Sequence, residues 1–315
     1  MTPAATGTHP HAPRVSVVVR TFNRPGSLRR CLESLAAQTL PRDAFELILV
    51  DTSDQPVQNV VTEFAGRLHM IHHPRPNLGV AGNRNAGAAR SRAPIIAFLD
   101  DDCVADPRWL EHMTTAVEAH PRCLVGGAVH HPDPANAYAA AGQTITEAVH
   151  DFFNPPGGEP RFVPGLNFAV ERERYLAISG CDEGFGRLAA EDRDFIDRWR
   201  LSEGQLLFCP DAGVRHEHRG SLRGFLRQYF NYGRGAWRYH SLRRRRQSGR
   251  MATDIRLHFH LPRHFRQPLA RLRPAMRPKV VALLGLWQLA NAAGFVSQGV
   301  LDATAQRKFR RAVRS

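Results

Sequence analysis

This 315-residue chain is expected to fold as an α/β protein with a mostly parallel sheet, on three observations. Short apolar runs rich in β-branched residues alternate with segments of helical periodicity from Val15 to Val129. Polar and charged residues collect where those runs end. The chain then changes from a mildly acidic body to a strongly basic C-terminal region. Such alternation describes βαβ units, whose ligands bind at the carboxyl ends of the strands.

The elements follow in order. Val15 to Val19 is a continuous β-branched run, Leu28, Cys31, Leu32 and Leu35 fall at helical spacing, and Phe45 to Val50 is a second apolar strand. A third short strand is expected at Leu68 to Ile71, a helix over Ala81 to Arg90, and a strand at Ile95 to Leu99. Asp106-Pro107 pairs an N-cap acid with proline at the first helical position, so a helix is expected over Arg108 to Ala119, followed by a strand at Leu124 to Val129.

Charge divides the molecule. Residues 219–315 carry 22 Lys and Arg against two acids, Asp254 and Asp302, a net charge of +20, while residues 1–218 carry −6 of the overall +14. The five cysteines, Cys31, Cys103, Cys123, Cys181 and Cys209, are odd in number and follow no metal-ligand spacing, which argues against a disulfide scaffold. Residues 1–13 contain no apolar run of the secretory kind and are expected to be disordered. A reduced cytoplasmic setting is therefore expected.

The most informative motif is Asp100-Asp101-Asp102, at the end of the fourth strand. On an extended strand, alternate side chains share a face, so Asp100 and Asp102 are expected to point into one cleft and Asp101 away from it. Paired carboxylates suit Mg²⁺ or Mn²⁺, whose shell is completed by water and substrate phosphate. Other strand ends add Arg20 to Pro25, Asp51 to Asp54, and Asn77 to Gly87, where glycines permit close backbone approach and Arg84 supplies a cation. Each motif alone also has a bland reading, as a turn, a cap or a solvated charge.

Taken together and in order, these segments resemble the family 2 glycosyltransferases, which have the Rossmann-like GT-A fold. The resemblance rests on Ser16 to Pro25, Leu49-Val50-Asp51, Asn77-Leu78-Gly79 through Arg84-Asn85, and Phe98 to Asp102. It continues with Gly165-Leu166-Asn167-Phe168, Phe185-Gly186, Glu191-Asp192 and the histidines at 216 and 218. It implies an inverting, hexosyltransferase-type transfer from a nucleoside diphosphate sugar, with Mn²⁺ or Mg²⁺ as cofactor. It also implies that Asp51 contacts the nucleobase and that Thr21, Asn23, Arg24, Arg84, Asp100, Asp101 and Asn167 line the nucleotide-sugar site. Asp102 becomes the direct metal ligand, with Asp100 facing ribose and metal. His216 is the expected third ligand, and His218 a neighbour or acceptor-side residue.

Chemistry demands the same parts. The departing diphosphate gains negative charge that a metal and nearby donors must stabilise, and the acceptor hydroxyl must lose its proton. Asp192 is the candidate general base and Glu191 an orienting neighbour, while Asp194 is expected to be a first-turn acid favoured by the helix dipole. Glu191 and Asp182 are the next candidates for the base.

The tail has its own pattern. Leu222, Phe225, Leu226, Tyr229, Phe230 and Trp237 lie near helical spacing among arginines that culminate in Arg243 to Arg246, which suits an anionic membrane surface. The alternative is that these helices pack on the catalytic body. Val280 to Val300 is apolar but contains Gln288, Asn291, Ser297 and Gln298, so an interfacial or packed helix is expected rather than a spanning one. No recognisable nucleic-acid module accompanies the arginines.

The expected organisation is a catalytic domain over 14–218, with a nucleotide-sugar half at 14–129 and an acceptor half at 130–218, followed by a basic helical region over 219–315. The acceptor is either lipid-linked or a small molecule. Two other function classes compete. A nucleotidyltransferase is expected to carry a Gly-rich loop after the first strand, where Arg20 to Gly26 has a single glycine. A noncatalytic nucleotide- or polyanion-binding protein has no need of the metal carboxylates, Asp192 and His216 together.

Overall fold

Among the described residues, eight strands form one mixed sheet in the order β3-β2-β1-β4-β7-β6-β8-β5. The structure is a computed structural model that describes residues 12–55, 57–130, 136–217, 220–249 and 251–312. Residues 1–11 of the expected disordered segment lie outside these, and Pro13 is already buried beside the first strand.

The first half runs β1 (Val15–Thr21), α1 (Pro25–Ala36), β2 (Phe45–Asp51), α2 (Gln58–Phe64), β3 (Met70–Pro74), α3 (Gly79–Arg90) and β4 (Ile95–Asp100). These four strands are mutually parallel. Next come β5 (Cys103–Ala105), α4 (Trp109–Ala119), β6 (Cys123–His130), α5 (Ala137–Phe153), β7 (Asn167–Glu171) and α6 (Arg172–Ala177). The chain closes with α7 (Glu191–Leu201), β8 (Gln205–His216), α8 (Leu222–Arg246), α9 (Ala252–His264), α10 (Arg266–Arg271) and α11 (Arg277–Ala312). β7 is antiparallel to β4 and β6, β8 is parallel to β6, and β5 is antiparallel to β8.

Periodicity explains the core. Val15, Val17 and Val19 face the same way and meet Leu28, Cys31, Leu32 and Leu35 of α1, all fully buried. Removing one such leucine side chain costs about 2–5 kcal/mol. α3 is built from small residues because a Cβ at Gly87 would lie 2.3 Å from Val18 Cγ1. Gly79 is required for two reasons: its φ is +84°, and a Cβ there would stand 1.7 Å from the Gly186 carbonyl oxygen.

Two expectations about local structure change. β3 lies at Met70–Pro74 rather than Leu68 to Ile71, because Leu68 is held by the turn that closes α2, its N–H donating to Phe64 O, and pairing with β2 begins at Leu47 and Met70. The start of α4 has no side-chain cap from Asp106. Residues 106–109 instead close a tight turn in which Trp109 N–H donates to Asp106 O, and the helix starts one residue after Arg108 was expected to open it.

The chain divides into two compact units: Met1–Pro132, Gly157–Gly186 and Arg198–Glu217 form the first, and Asp133–Pro156, Arg187–Asp197 and His218–Ser315 the second. The first holds the whole sheet. The core of the second gathers Ala140, Ala141 and Ile145 of α5, Phe225 and Tyr229 of α8, Leu257 of α9, and Val280, Leu283, Leu284 and Trp287 of α11. Helices α8 and α11 meet backbone to backbone, since a Cβ on Gly233 would lie 1.9 Å from Asn291 O and one on Gly294 1.9 Å from Phe230 O.

That packing corrects the membrane-facing aromatic stripe expected of α8. Phe225, Tyr229 and Tyr239 are buried within the second unit, because a helix with two apolar helices beside it gains more by covering its aromatic rings than by exposing them. Leu222 and Tyr232 of α8 stay exposed, but the most exposed apolar side chains among the described residues lie elsewhere: Leu289, Val296 and Val300 on α11 and Phe259 on α9. By length and composition the segment 274–307 is long and apolar enough to cross a membrane, with 28% of its apolar window buried.

Candidate active site

Parallel pairing brings the polar strand ends level. Thr21 pairs with Asp51 across β1 and β2, and Arg20 with Asp100 across β1 and β4. The loops that follow are tied together: Thr52 N–H and Oγ1 both donate to Thr21 O, Asn23 Nδ2 donates to Asp54 Oδ2 at 2.6 Å, and Asp54 N–H returns a bond to Asn23 Oδ1 at 3.0 Å. Asn23 has φ +54°, a left-handed conformation that asparagine tolerates better than most residues.

Asp51 is 2% exposed and fully engaged. Its Oδ1 accepts from Ser53 N–H at 3.0 Å, and its Oδ2 from Val57 N–H and His72 Nε2, both at 3.1 Å. Burial works against its ionisation, but the bonds from His72 and the two amides outweigh it and bring the carboxyl down to about 2. Asp51 is an ionised acceptor set at the edge of the sheet.

The acidic triplet does not alternate as expected. β4 ends at Asp100 and the next two residues form a turn, so the two-residue period of a strand stops at Asp100. Arg20 donates to Asp100 Oδ2 at 2.8 Å, and Arg84 stands 3.6 Å from Oδ1. Asp101, expected to point away, is 2% exposed, accepts from Thr21 Oγ1 at 2.7 Å and shares the Arg24 guanidinium with Asp102, at 3.2 and 2.5 Å. Burial, and then the charge of Asp102, push Asp101 up to about 6.

β5 and β8 bring in the histidine. Their register pairs Cys103 with His216, and Glu217 N–H donates to Asp102 O at 3.0 Å. His216 Nε2 stands 3.4 Å from Asp102 Oδ1, a buried oxygen with no hydrogen bond among the described residues. Burial raises the Asp102 carboxyl, but His216 and Arg24 reverse this and hold it well below the usual range. His216 is raised by Asp102 despite burial.

The ligand atoms of Asp102, Cys103 and His216 lie within 4.8 Å of one another. Burial and the nearby Asp102 push the Cys103 thiol well up, and a carboxylate oxygen and an imidazole nitrogen stand beside it as donors. An orphaned buried oxygen facing an imidazole fits a divalent cation with O and N ligands. His218 lies outside the described residues.

The remaining expected residues lie as follows. Arg84 is buried, donates to Gly165 O and lies over the Phe168 ring at 5.6 Å. Asn167 is fully buried in the interior: its Oδ1 accepts from Trp109 Nε1, and its Nδ2 donates to Ala128 O and Ala212 O. Its amide is used up in joining α4, β6 and β8. Glu191, buried, and Asp192, half-buried, open α7 in the second unit. Asp194 is a first-turn acid of α7, as expected, and it is also fully buried and ion-paired with Arg246 at 2.7 Å.

Two residues escaped the sequence reading: Arg20, partner of Asp100, and His72, partner of Asp51. A faint signal exists for each, since Arg20 breaks a β-branched run and His72-His73 ends the third strand.

A switch-point α/β sheet with acids and arginines massed at its strand ends defines a nucleotide-handling enzyme class. Residues 16–175 match the family model for Glycosyl transferase family 2, and the chain belongs to that family. It is 33% identical over 145 residues to validoxylamine A glucosyltransferase from Streptomyces hygroscopicus subsp. jinggangensis, covering 45% of this chain and 34% of that one. To pre-mycofactocin glycosyltransferase from Mycobacterium tuberculosis it is 29% identical over 250 residues, covering 74% of this chain and 50% of that one. The chain thus spans half or less of the length of these relatives.

Among solved structures, mannosyltransferase PcManGT from Pyrobaculum calidifontis, in complex with GDP-Man and Mn²⁺, superposes with a TM-score of 0.63 at 16% identity, over 92% of this chain and 88% of that one. S. aureus TarS 1–349 in complex with UDP gives 0.55 at 14% identity, over 90% of each chain. These likenesses establish the GT-A type of fold.

Proposed function

We propose that this protein is an inverting, metal-dependent glycosyltransferase that moves a hexosyl group from a nucleoside diphosphate sugar to an acceptor hydroxyl. The observation that carries the reading is the Asp102–His216 pair, 3.4 Å apart with a buried oxygen lacking a hydrogen bond among the described residues, beside the strand ends that present Thr21, Asp51 and Asp100. The relatives named above support a sugar donor, and the two neighbouring structures hold GDP-Man with Mn²⁺ and UDP.

In this reading Asp51 accepts from the nucleobase, while Thr21, Asn23 and Arg24 border the nucleotide. Asp102 and His216, with Asp100 alongside, would hold Mn²⁺ or Mg²⁺, which when bound would supply positive charge to the departing diphosphate. Arg20, Arg24 and Arg84 stand against the three acids, and their guanidinium groups suit phosphate oxygens. Asp192 takes the proton of the acceptor hydroxyl as its oxygen attacks the anomeric carbon. The bond from that carbon to the diphosphate oxygen breaks with its electron pair on the diphosphate. One displacement inverts the anomeric centre.

We also assign the basic second unit to an anionic lipid surface at the cytoplasmic face of a membrane. Uncovered Leu289, Val296 and Val300 on α11 support this, as do exposed Arg271, Arg273, Arg277 and Lys279 before its apolar stretch and Arg307 after it. A lipid-linked acceptor is consistent with that placement.

The test is a panel of UDP- and GDP-sugars with Mn²⁺ or Mg²⁺, read as nucleoside diphosphate release. Asp192→Asn should bind donor as wild type does while turnover falls by on the order of 10² or more. Turnover unchanged by that substitution refutes the base assignment, and turnover unchanged by excess chelator refutes the metal.

A further inference from the structure

Helix α8, with its four consecutive arginines, has a use that its composition does not suggest. Asn231, Gly235, Tyr239, Arg243 and Arg246 recur at intervals of three and four residues and so form one stripe along the helix. Every member of that stripe holds the segment 187–197, which carries Glu191 and Asp192. Asn231 Nδ2 donates to Arg187 O at 2.8 Å, and a Cβ on Gly235 would lie 1.9 Å from Ala189 O. The Arg193 guanidinium sits 4.5 Å from the centre of the Tyr239 ring. Arg246 bridges Asp194 Oδ1 at 2.7 Å and Asp197 Oδ2 at 3.0 Å, and Arg243 stands 3.4 Å from Asp197.

The segment is thus pinned on both sides of Asp192. Between the pins Ala190 has φ +72°, a conformation that a residue with a Cβ rarely adopts, directly before the Glu191-Asp192 pair. Strained backbone persists where its surroundings over-determine it, and here α8 supplies them. Asp194 is fully buried, and the Arg246 guanidinium compensates its charge there.

We infer that Arg246 is a positioning residue for Asp192, fixing through Asp194 and Asp197 the helix start from which the base acts; this rests on the proposed role of Asp192. Two of the four arginines in the run are accordingly structural, and only Arg244 and Arg245 are exposed.

The test uses the full chain and UDP- and GDP-sugars with Mn²⁺. Arg246→Gln leaves a buried charge, so the paired variant Asp194→Asn/Arg246→Gln, which removes both charges, is made beside it. In each, kcat should fall on the order of tenfold with donor KM unchanged, Arg246→Lys should recover most of the loss, and neither should reduce the residual rate of Asp192→Asn further. Hydrogen exchange at amides 188–193 should accelerate on the order of tenfold in both. Losses that multiply with Asp192→Asn, a parallel change in KM, or unaltered exchange would overturn the inference. If Asp192→Asn keeps the wild-type rate, the base assignment falls and the positioning role with it. If Asp192→Asn is inactive while both Arg246 variants are fully active, the base stands and the positioning role alone falls.

Discussion

Asp51 makes a pH-dependent contribution to stability that can be isolated with one substitution. The carboxyl is held at about 2 rather than its ordinary 3.8, which at about 1.4 kcal/mol per pH unit amounts to about 2 kcal/mol. Because the folded value lies below the unfolded one, the unfolded chain binds the extra proton as the medium is acidified. The contribution is therefore complete above about pH 5 and is lost as pH falls through about 4 to 2. Asp51→Asn removes the titration while preserving shape. Urea unfolding of wild type and variant from pH 6 downward, followed by circular dichroism, should show wild type losing its advantage as pH falls, roughly half of it by pH 3. His72→Ala should shrink this pH-dependent part, since His72 Nε2–H donates to Asp51 Oδ2 at 3.1 Å. Stability curves that stay parallel for wild type and Asp51→Asn between pH 6 and 3 would refute the account.

Three further outcomes follow from the site and the packing. Asp102→Asn and His216→Ala should each weaken Mn²⁺ binding by tenfold or more, measured by spin resonance titration, without changing the circular dichroism spectrum; wild-type affinity in both removes the metal site. Arg24→Gln should tighten Mn²⁺ binding, because it takes a cation away from Asp101 and Asp102, and weakened binding would show that the guanidinium instead organises the ligands. Wild type should sediment with vesicles containing anionic lipid, less as salt rises, and Leu289→Glu/Val296→Glu should abolish this, whereas equal salt-insensitive partition to neutral vesicles would replace the electrostatic reading with plain apolar insertion.

Local physics carried much of the way from sequence to fold. The β-branched runs at Val15 and Phe45 and the heptad-like Leu28, Cys31, Leu32 and Leu35 report burial directly, because period and side-chain shape are properties of the residues themselves. Parallel βαβ units place strand ends on one edge, so Thr21, Asp51 and Asp100 are legible as neighbours from the sequence alone. What only the tertiary structure decided is which charges neutralise which, and which amphipathic face finds a cover. Asp101 turns inward because the strand stops one residue earlier, and Arg24 arrives from a loop 77 positions away in the chain. Asn167 reads as a site residue and is consumed by three interior bonds. The aromatic stripe of α8 and the arginines after it have the pattern of a membrane helix, yet α11 and the acids of α7 occupy them. Periodicity fixes a face and a charge, but the partner of that face depends on contacts between distant segments, which no local pattern contains.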